Sequence, residues 1–369
     1  MKSFKVIISG GGTGGHIFPA LAIANEIKEQ NPLAVILFVG AKGRMEMDKI
    51  PNAGYDIIGL DVVGIQRSLS LNSLLKNLKF PFLLLKSLLH AKKILKDFKP
   101  DIVVGVGGYA SGPTLRMANT LKIPTLIQEQ NSYAGLTNKW LSKKAVKICV
   151  AYKKMDRFFD ADKIVETGNP VRKDIIDLLA KKKEAINYFN INNKEKVILV
   201  LGGSLGARSI NNGILKSLEL IKNSPIRLLW QVGNRFIDTV NSSFDKKDFS
   251  NVKTMPFIKR MDLAYAAADI IISRAGALSI SEITLIGKPS ILIPSPNVSE
   301  DHQTKNAMSL VDFNAAKLIS DNETDKVLSV AIKLLKSPKE INLIAENAKK
   351  LAKPNATEDI VNEVFKFIK

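Results

Sequence analysis

The chain reads as an α/β protein built from two doubly wound parallel-sheet domains. Three observations predict this. Short apolar runs alternate with helical stretches, the signature of βαβ units. Each run ends in glycine or polar residues, where open α/β sheets bind ligands. The opening order of strand, glycine-rich turn and helix start is then repeated from residue 196. At 369 residues the chain is also too long for one comfortable core.

In chain order, strands are predicted at KVIIS (5–9), AVILFVG (34–40), YDIIGL (55–60), DIVVGVGG (101–108), PTLIQEQ (124–130) and KICVAY (147–152), with helices such as 19–30 and 113–122 between them. VETGNPVRKDI (165–175) interrupts the alternation with Gly168 and Pro170 and places a hinge near 168–172. A lysine-rich helix (173–189) follows. Strands then resume with KVILVLGGSLGARSIN (196–211), IRLLWQVG (226–233), NVKTMPFI (251–258), DIIISRAG (269–276) and SILIPSP (290–296). The restart makes these two Rossmann-like domains, 1–168 and 169–350, facing one another across a cleft. The last helix, within 351–369, is expected to return to the first domain.

Composition is ordinary for a globular chain: 46% hydrophobic, 24% charged and 7% aromatic. The N-terminus runs straight into an apolar strand, so no signal peptide is expected, and no apolar run reaches the ~18 residues of a spanning helix. The single cysteine, Cys149, has no intramolecular partner, which suits a reducing compartment and a buried, inert thiol. The net charge of +19, carried by 44 Lys and 10 Arg, suits either a polyanion partner or a lysine-rich genome.

The loop Gly10–Gly15 satisfies G-x-G-x-x-G, and a glycine turn leading into a helix N-terminus is a competent anion site. A dinucleotide reading also needs an acid at the end of the second strand. FVGAKGR offers Lys42 and Arg44 instead, so that reading weakens to a phosphorylated nicotinamide cofactor at most. It leaves His16 unexplained, a residue placed to aim its imidazole at the mouth of the cleft. The second loop, LGGSLGARSIN, sets Ser204 and Arg208 where a diphosphate would sit. RAGALSISEI then adds a third glycine turn, with Glu282 inside its helix, where a glutamate can accept both hydroxyls of a ribose. EDHQTKNA (300–307) supplies a polar cluster at another strand-to-helix connection.

Taken together and in order, GGGTGGHIFPALAIA, GVGGYASGP, EQNSYAGLTNKWL, TGNPVR, LGGSLGARSIN, RAGALSISEI and EDHQTKNA resemble the peptidoglycan lipid-intermediate N-acetylglucosaminyltransferases. The resemblance covers nearly the whole chain. It implies the two-domain GT-B fold, with a first domain for the acceptor and membrane and a second for the UDP-sugar. It also implies inverting transfer of N-acetylglucosamine from UDP-GlcNAc to the 4-hydroxyl of lipid I, undecaprenyl-pyrophosphoryl-MurNAc-pentapeptide, yielding lipid II. By the same resemblance Thr13, Gly14 and Gly15 meet the donor, Asn131 approaches the transferred sugar, and Arg172 and Ser204 lie near diphosphate and sugar. The Ile258 backbone reads uracil. Ala277, Leu278, Ser279, Ile280, Ser281 and Glu282 form the ribose- and phosphate-binding helix start, and Gln303 recognises sugar hydroxyls. Some members carry a second glutamine where this chain has Thr304.

Inverting transfer needs a base for the acceptor hydroxyl and stabilisation of the departing diphosphate. His16 is expected to be that base, since an ordinary imidazole titrates near ~6.5, with Glu129 as the alternative. Tyr109 and Ser111, in GVGGYASGP, are candidate contacts for the acceptor diphosphate. No metal or other cofactor is expected, because the only D-x-D, Asp160-Ala-Asp162, lies in a polar connection far from any glycine loop. The basic amphipathic stretch 73–99 reads as an interfacial segment, with exposed residues expected around Leu74 to Phe82. Expected partners are the anionic membrane surface, at the cytoplasmic face, and cell-wall synthesis proteins. Nucleic acid is excluded, for no stacking aromatics interleave the cations. The readings left beside it are another UDP-sugar enzyme of the same fold, either an epimerase or a glycolipid synthase, a non-catalytic polyanion-binding module, and an NADP oxidoreductase.

Overall fold

In the computed structural model, residues 3–62, 80–172, 175, 178–203, 206–298 and 301–368 are described. The chain divides into two compact units, 1–171 with 354–369, and 172–353. The last helix therefore belongs with the first unit.

The first unit holds β1 (Lys5–Ser9), α1 (Gly14–Gln30), β2 (Val35–Ala41), α2 (Glu46–Asn52), β3 (Asp56–Leu60), α3 (Phe80–Phe98), β4 (Ile102–Gly105), α4 (Ser111–Thr120), β5 (Thr125–Glu129), α5 (Leu136–Ser142), β6 (Lys147–Val150) and β7 (Ile164–Glu166). Its strands form one parallel sheet in the order β3-β2-β1-β4-β5-β6-β7. Both faces are covered, so the strands are apolar on both sides. Val6 and Ile8 point into a core with Ile17, Ile23 and Ile27 of α1, while Ile7 points into one with Ala91, Leu95 and Leu115. The final helix, Ala356–Phe365, adds Ile360, Val361 and Val364 to the first of these cores.

The second unit comprises α6 (Leu178–Phe189), β8 (Lys196–Leu201), α7 (Arg208–Ser217), β9 (Ile226–Gln231), α8 (Ile237–Asn241), β10 (Val252–Met255), α9 (Met261–Ala267), β11 (Ile270–Arg274), α10 (Ala277–Ile286), β12 (Ser290–Ile293), α11 (His302–Val311), β13 (Lys317–Leu318), α12 (Val327–Leu335) and α13 (Pro338–Lys350). Its sheet is parallel in the order β10-β9-β8-β11-β12-β13. Again alternate residues serve two cores: Val197, Leu199 and Leu201 face one way, Ile198 and Val200 the other.

Two strands escape a reading of the sequence. β7 has three residues and β13 has two, both at sheet edges, and neither is long enough to show a pattern. α1 begins at Gly14, five residues ahead of the predicted start at 19. The glycines lower helix propensity, but they sit in the first turn, where the tertiary setting decides.

Each sheet reverses its winding at one place, between β1 and β4 in the first unit and between β8 and β11 in the second. Ligands of doubly wound sheets bind at such switch points, beyond the carboxyl ends of the strands. Here both are flanked by glycine turns. In the first unit Ser9 pairs with Gly105, so the two turns leave the sheet side by side. Gly11 N–H donates to Gly107 O (3.3 Å), and a Cβ on Gly108, whose φ is +87°, would collide with the Gly11 backbone. The two loops thus touch main chain to main chain, which only glycine permits at this position.

Candidate active site

In the first unit the switch point carries His16, one turn into α1. Its Nδ1 lies 3.0 Å from Gly11 O and 3.4 Å from Thr13 Oγ1. A carbonyl only accepts, so Nδ1 bears the proton and the lone pair is on Nε2. Gly107, at φ +89°, makes room for the ring: a Cβ there would lie 3.0 Å from both Nε2 and Cδ2. Thr13 and Gly15 are exposed and Gly14 is half-buried, and the first-turn N–H groups of α1 have no acceptor within the helix. Gly12 N–H, by contrast, is committed inward, donating to Glu46 Oε2 (2.9 Å).

Tyr109 is exposed on the neighbouring turn. Ser111, read from the sequence as an acceptor contact, is fully buried, and its Oγ would stand 3.0 Å from a Cβ on Gly105. Its hydroxyl points back onto the strand end, so in this arrangement it cannot touch a ligand.

Glu129, at the end of β5, is buried and saturated. Oε1 accepts from Asn131 N (3.1 Å) and Asn131 Nδ2 (3.4 Å), and Oε2 accepts from Gly135 N (3.0 Å) and Asn138 Nδ2 (2.8 Å). Two carboxylate oxygens offer about four acceptor sites, and all are taken. The carboxylate therefore shapes the EQNSYAG loop and orients Asn131, an arrangement unsuited to taking a proton from a substrate. Beneath this loop lies a buried carboxamide network that reading the sequence missed. Gln130 Nε2 donates to Val106 O (2.7 Å), Gln128 Nε2 to Asn169 Oδ1 (3.0 Å), and Asn169 Nδ2 to Gln130 O (3.0 Å). Asn169 of TGNP thus locks the 167–170 segment to the ends of β4 and β5.

In the second unit Glu282 projects from α10. Its Oε1 receives Arg172 Nε (3.3 Å) and its Oε2 receives the Tyr265 hydroxyl (2.7 Å). Tyr265 is buried, and burial together with the Glu282 charge pushes its phenol well above the ordinary range, so it stays a donor. Tyr265 is thus a support for Glu282 that the sequence did not reveal. α10 begins at Ala277 after an extended Gly276, with no acid in its first turn, leaving the N–H groups of Ala277, Leu278 and Ser279 for an anion. Ile280 falls out of this set: its side chain is in the core and its N–H donates to Gly276 O (3.0 Å). The Ser281 hydroxyl donates to Ala277 O (3.0 Å). Ser204 lies outside the described residues.

Ile258 N–H donates to Gln231 Oε1 (3.0 Å), and Gln231 Nε2 donates to Gly203 O (3.0 Å). The Ile258 carbonyl is thus the backbone group left to read a base while Gln231 keeps this position. Gln303 Oε1 accepts from Ser295 N (2.9 Å), which turns its amide donors to other partners. Arg274, despite its place at the β11 end, is bound to Asp321, Ser209 and the carbonyls of Ile293 and Pro294, and serves to brace the loops. Asp160 of the D-x-D pairs with Lys163 (3.0 Å) beside a short 3₁₀ turn.

Along α3, Phe82, Leu84, Leu85 and Leu89 are exposed, with Lys86, Lys93 and Lys96 also exposed on the helix, while Ala91, Ile94 and Leu95 are buried. The exposed apolar residues run further toward the C-terminus than expected, and Leu74 to Lys79 lie outside the described residues. No helix among the described residues is long and apolar enough to cross a membrane.

Family models match both units: the glycosyltransferase family 28 N-terminal domain over residues 6–150, and the family 28 C-terminal domain over 197–364. The UDP-N-acetylglucosamine–N-acetylmuramyl-(pentapeptide) pyrophosphoryl-undecaprenol N-acetylglucosamine transferase of Flavobacterium psychrophilum is 51% identical, covering 100% of this chain and 99% of its own. That of Christiangramia forsetii is 53% identical, covering 100% and 98%. The crystal structure of Acinetobacter baumannii MurG superposes with a TM-score of 0.75 at 30% identity, over 98% of this chain and 99% of that one.

Glu129→Gln replaces an acceptor with an amide that faces N–H donors. It is expected to lower stability by about 1–3 kcal/mol, read from urea denaturation. An unchanged midpoint would show that the carboxylate is not holding the loop.

Proposed function

The chain belongs to glycosyltransferase family 28, and from that premise we infer that it transfers N-acetylglucosamine from UDP-GlcNAc to the MurNAc-pentapeptide of undecaprenyl-pyrophosphate-linked lipid I, making lipid II. The observation that carries the reading is the division of chemistry between the switch points. One unit presents an imidazole with its lone pair on Nε2, and the other presents a carboxylate held ready beside an open helix N-terminus.

In the mechanism, His16 Nε2 takes the proton of the acceptor 4-hydroxyl as its oxygen attacks the anomeric carbon. The bond from that carbon to the diphosphate breaks and its electron pair leaves with UDP, so the configuration inverts. Glu282 accepts the ribose hydroxyls, and the α10 amides with Arg172 stabilise the departing diphosphate. Gln303 donates to sugar hydroxyls, and the Ile258 carbonyl accepts from uracil. Thr13, Gly14, Gly15 and Asn131 meet the transferred sugar from the first unit. The positive helix end and guanidinium perform the task a metal serves elsewhere, so no metal is required.

The acceptor lipid brings the enzyme to an anionic membrane surface at the cytoplasmic face. The exposed Phe82, Leu85 and Leu89 share one side of α3 with Lys86, Lys93 and Lys96, the composition of an interfacial helix. Tyr109 lies on the turn that would meet the acceptor diphosphate.

Transfer of labelled sugar from UDP-GlcNAc to a lipid-linked MurNAc-pentapeptide tests the activity directly. His16→Ala is expected to lower kcat by about 10²–10⁴-fold with KM for UDP-GlcNAc nearly unchanged; a parallel loss of donor affinity would make His16 a binding residue. Tyr265→Phe removes one donor to Glu282 and is expected to weaken UDP binding about tenfold by calorimetry. Unaltered binding would separate Glu282 from the ribose. Activity is expected to persist in excess EDTA, and its loss would overturn the metal-independent reading.

A further inference from the structure

We propose that Glu46 is a positioning residue for His16, acting through the Gly11–Gly12 peptide group as a carboxylate–peptide–imidazole relay. The proposal rests on the reading of His16 as the base. Gly12 N–H and Gly11 C=O belong to one peptide unit. Its N–H donates to Glu46 Oε2 (2.9 Å), and its C=O accepts from His16 Nδ1 (3.0 Å). Resonance couples the two ends of a peptide group. A carboxylate drawing on the N–H leaves more negative charge on the oxygen, which becomes the stronger acceptor for Nδ1–H. When Nε2 takes the acceptor proton, the positive charge shared with Nδ1–H is stabilised by that oxygen. The Nδ1 proton stays in place and Glu46 takes up none. The arrangement does for His16 what a directly bonded aspartate does in a Ser-His-Asp triad, with one peptide group inserted.

The placement of Glu46 is specific. Its side chain is buried, and its second oxygen, Oε1, accepts from Ala41 N (3.0 Å). Two glycines from separate segments clear its path. A Cβ on Gly40 would lie 2.7 Å from Glu46 Cγ, and one on Gly11 would overlap its carboxylate. The other charged groups near the loop are engaged or turned away. Lys42 pairs with Asp61 (2.9 Å), Arg44, Asp48 and Lys49 are exposed, and Glu129 is occupied by its own loop. From the adjacent turn only the phenol of Tyr109 is titratable, and it is exposed.

The chain has three histidines, so selective ¹⁵N-histidine labelling with substitutions at His90 and His302 isolates the His16 signals. Neutral His16 in the wild-type enzyme is expected as the Nδ1–H tautomer. Glu46→Gln is expected to lower its titration midpoint by about 0.5 pH unit or more, because a neutral amide stabilises the imidazolium less. The acid limb of the kcat profile should move down with it, with kcat falling about tenfold. Glu46→Asp, shorter by one methylene, withdraws the carboxylate from Gly12 N–H and is read the same way. An unchanged midpoint in either folded variant overturns the relay. An Nε2–H tautomer in the wild type overturns it without any variant. A midpoint that shifts while the kcat profile stays still leaves the relay standing and removes His16 from the role of base.

Discussion

The parallel pairing of β1 with β4 is the constraint on which the first unit's chemistry depends. Because Ser9 and Gly105 are register partners, the turns that follow them emerge side by side, and only glycine allows their main chains to touch. That contact decides where Gly11 O points, and Gly11 O decides the tautomer of His16. A shift of register by one residue would turn Val6 and Ile8 away from α1 and part the two loops at once. Fold and reactivity are therefore one problem here, solved at the level of backbone hydrogen bonding.

The second unit uses the same topology for a different end. Its switch point presents a carboxylate gripped from two sides, by a buried phenol and a guanidinium, next to helix amides that have no internal acceptor. A carboxylate held by Tyr265 has lost its rotamer freedom before any ribose arrives, so less ordering accompanies binding. Arg274 shows the opposite arrangement: a cation at the strand end whose charge is consumed by Asp321, so that it fastens loops instead of attracting phosphate. Position at a switch point does not by itself make a residue functional; what its atoms already touch decides that.

Most of the fold was legible in the sequence because buried parallel strands leave continuous apolar runs and their turns leave glycines. The short edge strands β7 and β13 were not, since two or three residues carry no period. Among site residues, His16 and Glu282 could be found from their places after glycine turns. Glu129 was found too, but its role differs from the one expected, because the four donors around it come from residues brought close only by the folded loop. Ser111 and Ile280 sit in the right motifs with their side chains facing inward, a matter of helix phase that motif spacing does not encode. Tyr265, Gln231 and Glu46 left no local sign at all. Each meets its partner across 17 to 34 residues of chain.

The opening loop shows why matching letters do not settle a function. G-x-G-x-x-G usually means backbone N–H groups gathered for a pyrophosphate. In this chain the Gly11 N–H goes to Gly107 O and the Gly12 N–H to a buried glutamate. Two of the amides that would cradle an anion are thus spent inside the protein, one of them on a carboxylate group. A loop with a carboxylate beneath it is poorly disposed to phosphate and well disposed to a positive charge above it. An imidazole that becomes cationic during catalysis supplies that charge, and it sits on the outer face of the same peptide group. The glycines were kept for their backbone freedom and small volume, and the electrostatics of the loop were turned from holding an anion to supporting a base.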